Sequence, residues 1–352
     1  MTTSTSNNII WINTLKAICI LLVYFFHTEF YMHIDVKEFH NLYMPFFTNG
    51  FFFVSGYLLL SRQWNDNYIS KPFSLWFNKL SKGSGLEVLR NILYRIAIPT
   101  VIFSSLLFVP KIALRGVAFE VQTFLHDTLF GGSIWFTSSL AVSELIILLL
   151  LASRIRFKTF YVLASLLLTL IAVWCAKDAN GMYGTADAPW FWKGGFIATL
   201  FLVGGGIYQK YEAYFHKICG RPFILGFGVL LYLTLAIAFG SEMAVSINVG
   251  AFNLIGAFMS FFSIIFVIEI CRLVPYHKYI EYLGRHTLVL YFMSGAIPNV
   301  ISIVFLKFIG DGIVAYAVCS ILSFCTAIPI TIIVNKYLPF LIDVRKIRKY
   351  GL

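Results

Sequence analysis

Ten runs of about 20 mainly apolar residues, separated by short polar gaps, dominate the chain, and each is long enough to cross the hydrocarbon core of a bilayer as a helix. They fall at 9–30, 43–62, 96–114, 134–152, 158–176, 190–208, 222–240, 247–270, 286–306 and 312–334. Lipid offers no hydrogen-bond partner to exposed backbone, so such runs fold as helices that satisfy their own N–H and C=O groups. The expectation is an all-α integral membrane protein of about ten transmembrane helices, forming a single transmembrane domain over residues 1–352. Only 12% of the residues are charged, about half the share of a soluble domain. So few charges cannot coat a water-facing surface, and the richness in Phe supplies lipid-facing and packing area.

The formal net charge of +11 sits in the gaps between apolar runs, where it reads as topology. Lys and Arg concentrate on the cytoplasmic side of membrane proteins. With the N-terminus inside, the inner gaps and the C-terminal stretch hold twenty Lys and Arg, from Arg62 to Lys349. The outer gaps hold Lys37, Lys111, Arg115, Lys177, Lys193 and Lys307. Both termini are therefore expected in the cytoplasm, with the chain in a cell membrane, the bacterial plasma or inner membrane. No aromatic–basic patch stands outside the helices, so no nucleic-acid partner is expected. Residues 1–8 carry no Lys or Arg, and no small-residue cleavage site follows the first run. That run is expected to stay as a span and not to leave as a signal peptide. The longest gap, 63–95, has room for a helix on the inner surface.

Six cysteines, Cys19, Cys175, Cys219, Cys271, Cys319 and Cys325, form no CxxC pair. Most lie in or beside apolar runs, where a thiol behaves as a small hydrophobe. No disulfide framework and no metal site is expected, and no HxxxH or Cys/His cluster suggests otherwise.

Ionisable groups inside a span are costly and mark function by default. Lys16, His27, Glu144 and Glu269 are the candidates. Lys16 and His27 share the first run and are 11 residues apart, about three helical turns, an offset of about 20° and a rise of about 16 Å. Both face one side, and Asn13, one turn before Lys16, adds a polar group to the same stripe. Two readings stand. Lys16 snorkels to the inner headgroups while His27 sits at the outer interface. Alternatively the stripe lines a passage, with a cation for a phosphate-bearing ligand at one end and a proton acceptor at the other. Glu144 lies mid-span and calls for a partner, through a structural inter-helix hydrogen bond or through Lys16 or His27. Glu269, beside Arg272, reads as a local ion pair.

The segment WINTLKAICILLVYFFH (11–27) resembles the opening helix of acyltransferase family 3, membrane acyltransferases that carry a basic residue, ten intervening residues and a His. The family usually has Arg where this chain has Lys16, and often Asp where it has Asn13. GFFFVSGYLLL (50–60) resembles the second-helix signature, an aromatic run ending in Ser-Gly. RNILYRIAIP (90–99) is similar to the basic entry to the third helix, SIWF (133–136) to the entry to the fourth, and YLGRHTLVLYF (282–292) to a late-helix motif. Many members close that last motif with His, where this chain has Ser294. The resemblance covers residues 11 to about 294. It implies the stand-alone form, similar to members that decorate surface glycans, the intercellular-adhesion polysaccharide branch among them.

The resemblance implies an O-acyltransferase that moves an acetyl or other short acyl group from cytoplasmic acyl-CoA to a sugar hydroxyl of an exported or surface glycan. His27 is then the general base, oriented by Glu29 or Glu144. Lys16, Arg90 and Arg95 suit the phosphates of the donor, and Asn13, Ser55, Trp135 and Tyr291 line the passage. Transfer is either direct or through an acyl-histidine. The expected partners are the acyl-CoA, a glycan acceptor chosen by the outer gaps 31–42, 115–133 and 177–189, and the lipid bilayer. The alternative is a multi-pass glycan exporter or flippase without acyl-transfer activity.

Overall fold

The computed structural model describes residues 3–63, 84–116, 118–131, 134–153, 155, 157–176, 189–240, 245–247 and 252–349, without the side chains of 3–9, 62–63, 114–115 and 347–349. The regular elements are helical. In chain order they are α1 Thr3–Met32, α2 Lys37–Tyr43, α3 Asn49–Gln63, α4 Gly85–Ile92, a π-helical turn Leu93–Ala97, and α5 Ile98–Arg115. Then follow α6 Val121–Thr128, α7 Trp135–Ala152, α8 Lys158–Ala176, α9 Trp192–Cys219, α10 Pro222–Phe239 and α11 Leu254–Leu273. The last are α12 Lys278–Arg285, α13 Thr287–Met293, α14 Ala296–Phe308 and α15 Ile313–Tyr337, followed by short 3₁₀ turns to Lys349.

Among the described residues, eight helices are long and apolar enough to cross a membrane, or nine if the bent pair α13–α14 is one span. The eight take up the first, the third to eighth and the tenth of the expected runs. The ninth run is broken by a bend of 45° between Thr287–Met293 and Ala296–Phe308. The second becomes the shorter helix α3, because the chain turns over residues 44–48 before it. Pro45 cannot donate a helical hydrogen bond, and its carbonyl instead accepts from the Asn49 side chain at 3.1 Å.

Residues 64–83 of the long gap, and with them most of the expected inner-surface helix, lie outside the described residues. The rest of that gap is α4, where the Ser84 hydroxyl caps the helix by accepting from the Glu87 N–H at 3.1 Å. The helix then runs through the π turn into α5 without leaving helical geometry. The gap 177–189, expected on the outer side, lies outside the described residues up to Pro189, as do Lys71, Lys79, Lys82, Arg154 and Arg156, expected on the inner side.

The chain forms two compact bodies, one of Met1–Phe51, Ala213–Ala244 and Asn253–Leu338, the other of Phe52–Glu212, Val245–Phe252 and Pro339–Leu352. In the first body α1 is the central element and packs against α11 to α15. The Tyr24 hydroxyl donates to the Leu290 carbonyl at 2.8 Å, and the Tyr316 hydroxyl to the Phe25 carbonyl at 3.3 Å. Met32, Val36, Phe305, Ala315, Tyr316 and Cys319 close one apolar cluster around its C-terminal end. Near the other end Gly284 lies against the Asn13 backbone so closely that an added Cβ would come within 2.2 Å of the Asn13 carbonyl oxygen.

In the second body α7 packs on α4 and the π turn, and the Thr100 hydroxyl of α5 donates to Thr137 of α7 at 2.8 Å. Helix α3 meets α9 through Gly56, where a Cβ would fall 1.9 Å from the Leu202 carbonyl oxygen. Small residues that let helix backbones touch are a mark of packing in lipid, where apolar burial by itself does not favour association. The 3₁₀ segment Val344–Lys349 docks back on this body through Arg345, which donates to the Asn91 side chain of α4 at 2.8 Å.

Candidate active site

In the first body, α1 carries Asn13, Lys16, His27 and Glu29 on one continuous helix. Lys16 and His27 are part-exposed while Asn13 is buried. The His27 ring stacks on Tyr31 one turn further on, with centroids 6.2 Å apart, and meets the edge of Phe26 at 5.7 Å. Phe26 also packs 5.7 Å from the ring of His40 on α2. Two residues beyond His27, the Glu29 carboxylate bonds with His40 Nδ1 at 2.9 Å and accepts from the Tyr43 hydroxyl at 3.1 Å. The C-terminal end of the polar stripe is therefore an aromatic nest holding two imidazoles and one carboxylate. Burial first, then the Glu29 charge, pushes the Tyr43 phenol well above its ordinary value, which keeps it a donor.

Tyr291 sits on α13, directly after the Leu290 carbonyl that anchors Tyr24 of α1. Glu269 of α11 has its side chain 1% exposed and binds His216 Nδ1 at 2.7 Å and Arg272 Nε at 3.5 Å. The expected ion pair with Arg272 is thus present, and His216 is an additional partner.

In the second body, the structure brings Ser55 and Glu144 together: the Ser55 hydroxyl donates to Glu144 Oε1 at 2.5 Å. This joins α3 to the middle of α7. Trp135 opens α7, edge-on to Phe136 at 5.9 Å. Arg90 lies on α4 with its guanidinium 5.8 Å from the Tyr94 ring centroid. Arg95 lies exposed on the π turn. A π turn adds a residue to the helical register and re-aims the side chains around it, which is why such turns recur at functional positions.

Arg345 is a residue that sequence reading placed only among the basic residues of the C-terminal stretch. Its Nε and NH2 clasp the Asp343 carboxylate at 2.7 and 2.6 Å while NH1 holds Asn91. Burial raises the Asp343 carboxyl, but the hydrogen bonds and charge of Arg345, with the further charge of Arg95, outweigh it and hold the group below its ordinary value. His40, Tyr43 and Arg345 had no local signal in the sequence, since each acts through a partner brought close by the fold. Among the described residues no group of three or more His, Cys, Asp or Glu is placed to hold a metal ion.

A chain that is all-helical among the described residues, with eight or nine candidate membrane spans there, ionisable groups within them and basic residues at their ends, is a multi-pass membrane protein. Residues 9–332 match the family model described as an acyltransferase domain, acyltransferase family 3, and the chain belongs to that family. No curated protein and no solved structure matches it. The protein is therefore a membrane acyltransferase, using an acyl donor and an acceptor.

Proposed function

We propose that this protein is an O-acyltransferase that takes an acetyl or other short acyl group from cytoplasmic acyl-CoA and places it on a sugar hydroxyl of an exported or surface glycan. The observation that carries the reading is Lys16 and His27 on one face of α1, in a chain of this family. A cation and a base about 16 Å apart along one helix match the two ends of an extended thioester donor.

In this reading His27 takes the proton of the acceptor hydroxyl as its oxygen attacks the thioester carbonyl carbon. The carbon–sulfur bond breaks, the sulfur leaves as CoA thiolate and is protonated, and the ester remains on the sugar. Lys16, Arg90 and Arg95 are assigned to the donor's phosphates, to which guanidinium and ammonium groups bind by charge-assisted hydrogen bonds. Asn13, Ser55, Trp135 and Tyr291 are assigned to the lining of the donor's path. Glu29 and Glu144 are the two carboxylates proposed to orient His27.

The test is CoA release by the purified protein from acetyl-CoA and succinyl-CoA, with a glycan acceptor pool present. His27→Ala is expected to lose about 100-fold or more of the rate while staying folded. Lys16→Ala is expected to raise KM for the donor. Of Glu29→Gln and Glu144→Gln, the variant that lowers kcat and reshapes the pH profile identifies the orienting carboxylate. A wild-type protein that neither binds nor turns over either thioester would end this reading.

A further inference from the structure

The segment Pro339–Lys349 follows the last span as short 3₁₀ turns. Beyond Tyr337 the sequence carries Arg345, Lys346, Arg348 and Lys349 and a single acid, Asp343. A basic stretch beside a span ordinarily lies against anionic headgroups. Here it folds back onto a part of the second body that is itself basic. Val344–Lys349 packs on the π turn Leu93–Ala97, and Pro339–Leu341 packs on α5. The π turn carries Arg95, and α4 just before it carries Arg90. Like charges brought together repel, so this docking needs a compensating anion, and Asp343 supplies it.

The anchor of the docked segment is built on that carboxylate. Arg345 donates from Nε to Asp343 Oδ1 at 2.7 Å and from Nη2 to Oδ2 at 2.6 Å. Its backbone N–H donates to Oδ1 at 3.2 Å. Fixed in that plane, the guanidinium gives Nη1 to the Asn91 side-chain oxygen at 2.8 Å, which ties the segment to α4. The Asp343 side chain is only 14% exposed, so its charge is turned toward the body and away from water. The charge of Arg95 acts on it there, and that of Glu87 acts on Arg345.

Asp343 therefore sets one negative charge in the field of an arginine that is assigned above to the donor's phosphates. A phosphate carries more charge and more acceptor oxygens than a carboxylate and binds guanidinium by the same charge-assisted hydrogen bonds. The two anions compete for one cationic face. We propose that Pro339–Lys349 is an autoinhibitory strap, in which Asp343 holds the place of a donor phosphate beside Arg95, and that donor binding releases it. The inference rests on the acyl-CoA reading above and adds regulation to it. Coupling of this kind is reciprocal: what loosens the strap tightens donor binding, and the donor loosens the strap by the same factor.

The experiment uses the full chain in detergent or nanodiscs. The Kd for CoA and the KM for acetyl-CoA are measured, with hydrogen exchange at the Arg345 amide in the absence and presence of saturating CoA. Three variants cut the anchor: Asp343→Asn, Arg345→Gln and Asn91→Ala. The first makes the segment more positive, the second makes it less so, and the third leaves its charge unchanged. If one of them fails to fold, the other two decide.

The expected result is that every variant lowers the Kd for CoA and the KM for acetyl-CoA about fivefold or more, the lower end of ordinary allosteric coupling. CoA is expected to speed exchange at the Arg345 amide of the wild type. A field effect alone moves Asp343→Asn and Arg345→Gln in opposite directions, and a merely structural anchor leaves the Kd unchanged or raises it in all three. Either pattern overturns the strap, as does exchange that CoA leaves unchanged or slows. A wild type that binds CoA and turns over acetyl-CoA while the variants match it loses the strap alone. A wild type that neither binds CoA nor releases it from acetyl-CoA ends the donor reading and the strap with it.

Discussion

His40 Nδ1 lies 2.9 Å from Glu29 Oε2, so the carboxylate two residues beyond His27 is the clasp that fixes α2 to the C-terminal end of α1. Tyr43 donates to the same oxygen at 3.1 Å, and the Glu29 and His40 side chains are only 17% and 19% exposed. A double-mutant cycle over Glu29→Gln and His40→Ala is expected to give a coupling of about 1–2 kcal/mol, read from unfolding in detergent. His40→Ala by itself lowers stability. A coupling near zero would show that the clasp carries no energy.

The Ser55–Glu144 bond predicts an asymmetry between two substitutions. Ser55→Ala removes the donor and leaves the Glu144 carboxylate short of a partner between α3 and α7, at a cost of about 1–3 kcal/mol. Ser55→Thr keeps a hydroxyl at the same position and is expected to retain most of that stability. Thermal unfolding of the two variants side by side checks this, and equal losses would contradict it.

Gly56→Ala drives a methyl group to 1.9 Å from the Leu202 carbonyl oxygen. Backbone cannot yield as a flexible side chain does, so the helices must part, and a loss of about 1–3 kcal/mol is expected. Gly226 of α10 has nothing within 4 Å of the same position, and Gly226→Ala is expected to be neutral or to stabilise by up to about 1 kcal/mol. The pair of midpoints, measured in one detergent, separates close approach from the general effect of adding a methyl group to a helix.

The docking of Val344–Lys349 is expected to depend on pH through Asp343. Its carboxyl is held below the ordinary value of 3.8 by the clasp of Arg345. A depressed carboxylate stabilises the docked form fully above its free value and stops doing so as pH falls through its depressed one. The segment therefore stays docked from neutral pH down to about pH 4 and is released below. Hydrogen exchange at the Arg345 amide, which donates to Asp343 Oδ1 at 3.2 Å, reads this directly. Asp343→Asn is expected to exchange fast at pH 7 already, and a variant as protected as wild type would remove Asp343 from the account.

Much of the architecture was legible in the chain because lipid imposes a local rule. Any run of about 20 apolar residues must close its own hydrogen bonds as a helix, so α1, α7, α8, α10 and α15 follow from their own residues. The Lys16–His27 stripe was legible for the same reason, since helical spacing alone aligns residues 11 apart. What composition could not decide is where a helix stops short or bends. Pro45 and the Asn49 side chain shorten the second run, and the ninth breaks between Met293 and Ala296. Partner choice also waited for the fold. Glu29 engages His40 and Tyr43, Glu144 engages Ser55 across 89 residues, and Arg345 returns 254 residues to Asn91. Gly284 lets α12 lie against the backbone of α1 at Asn13, an approach that no local pattern announces. Helix formation depends on neighbours four residues away, whereas these contacts join groups that only tertiary packing brings within hydrogen-bond range.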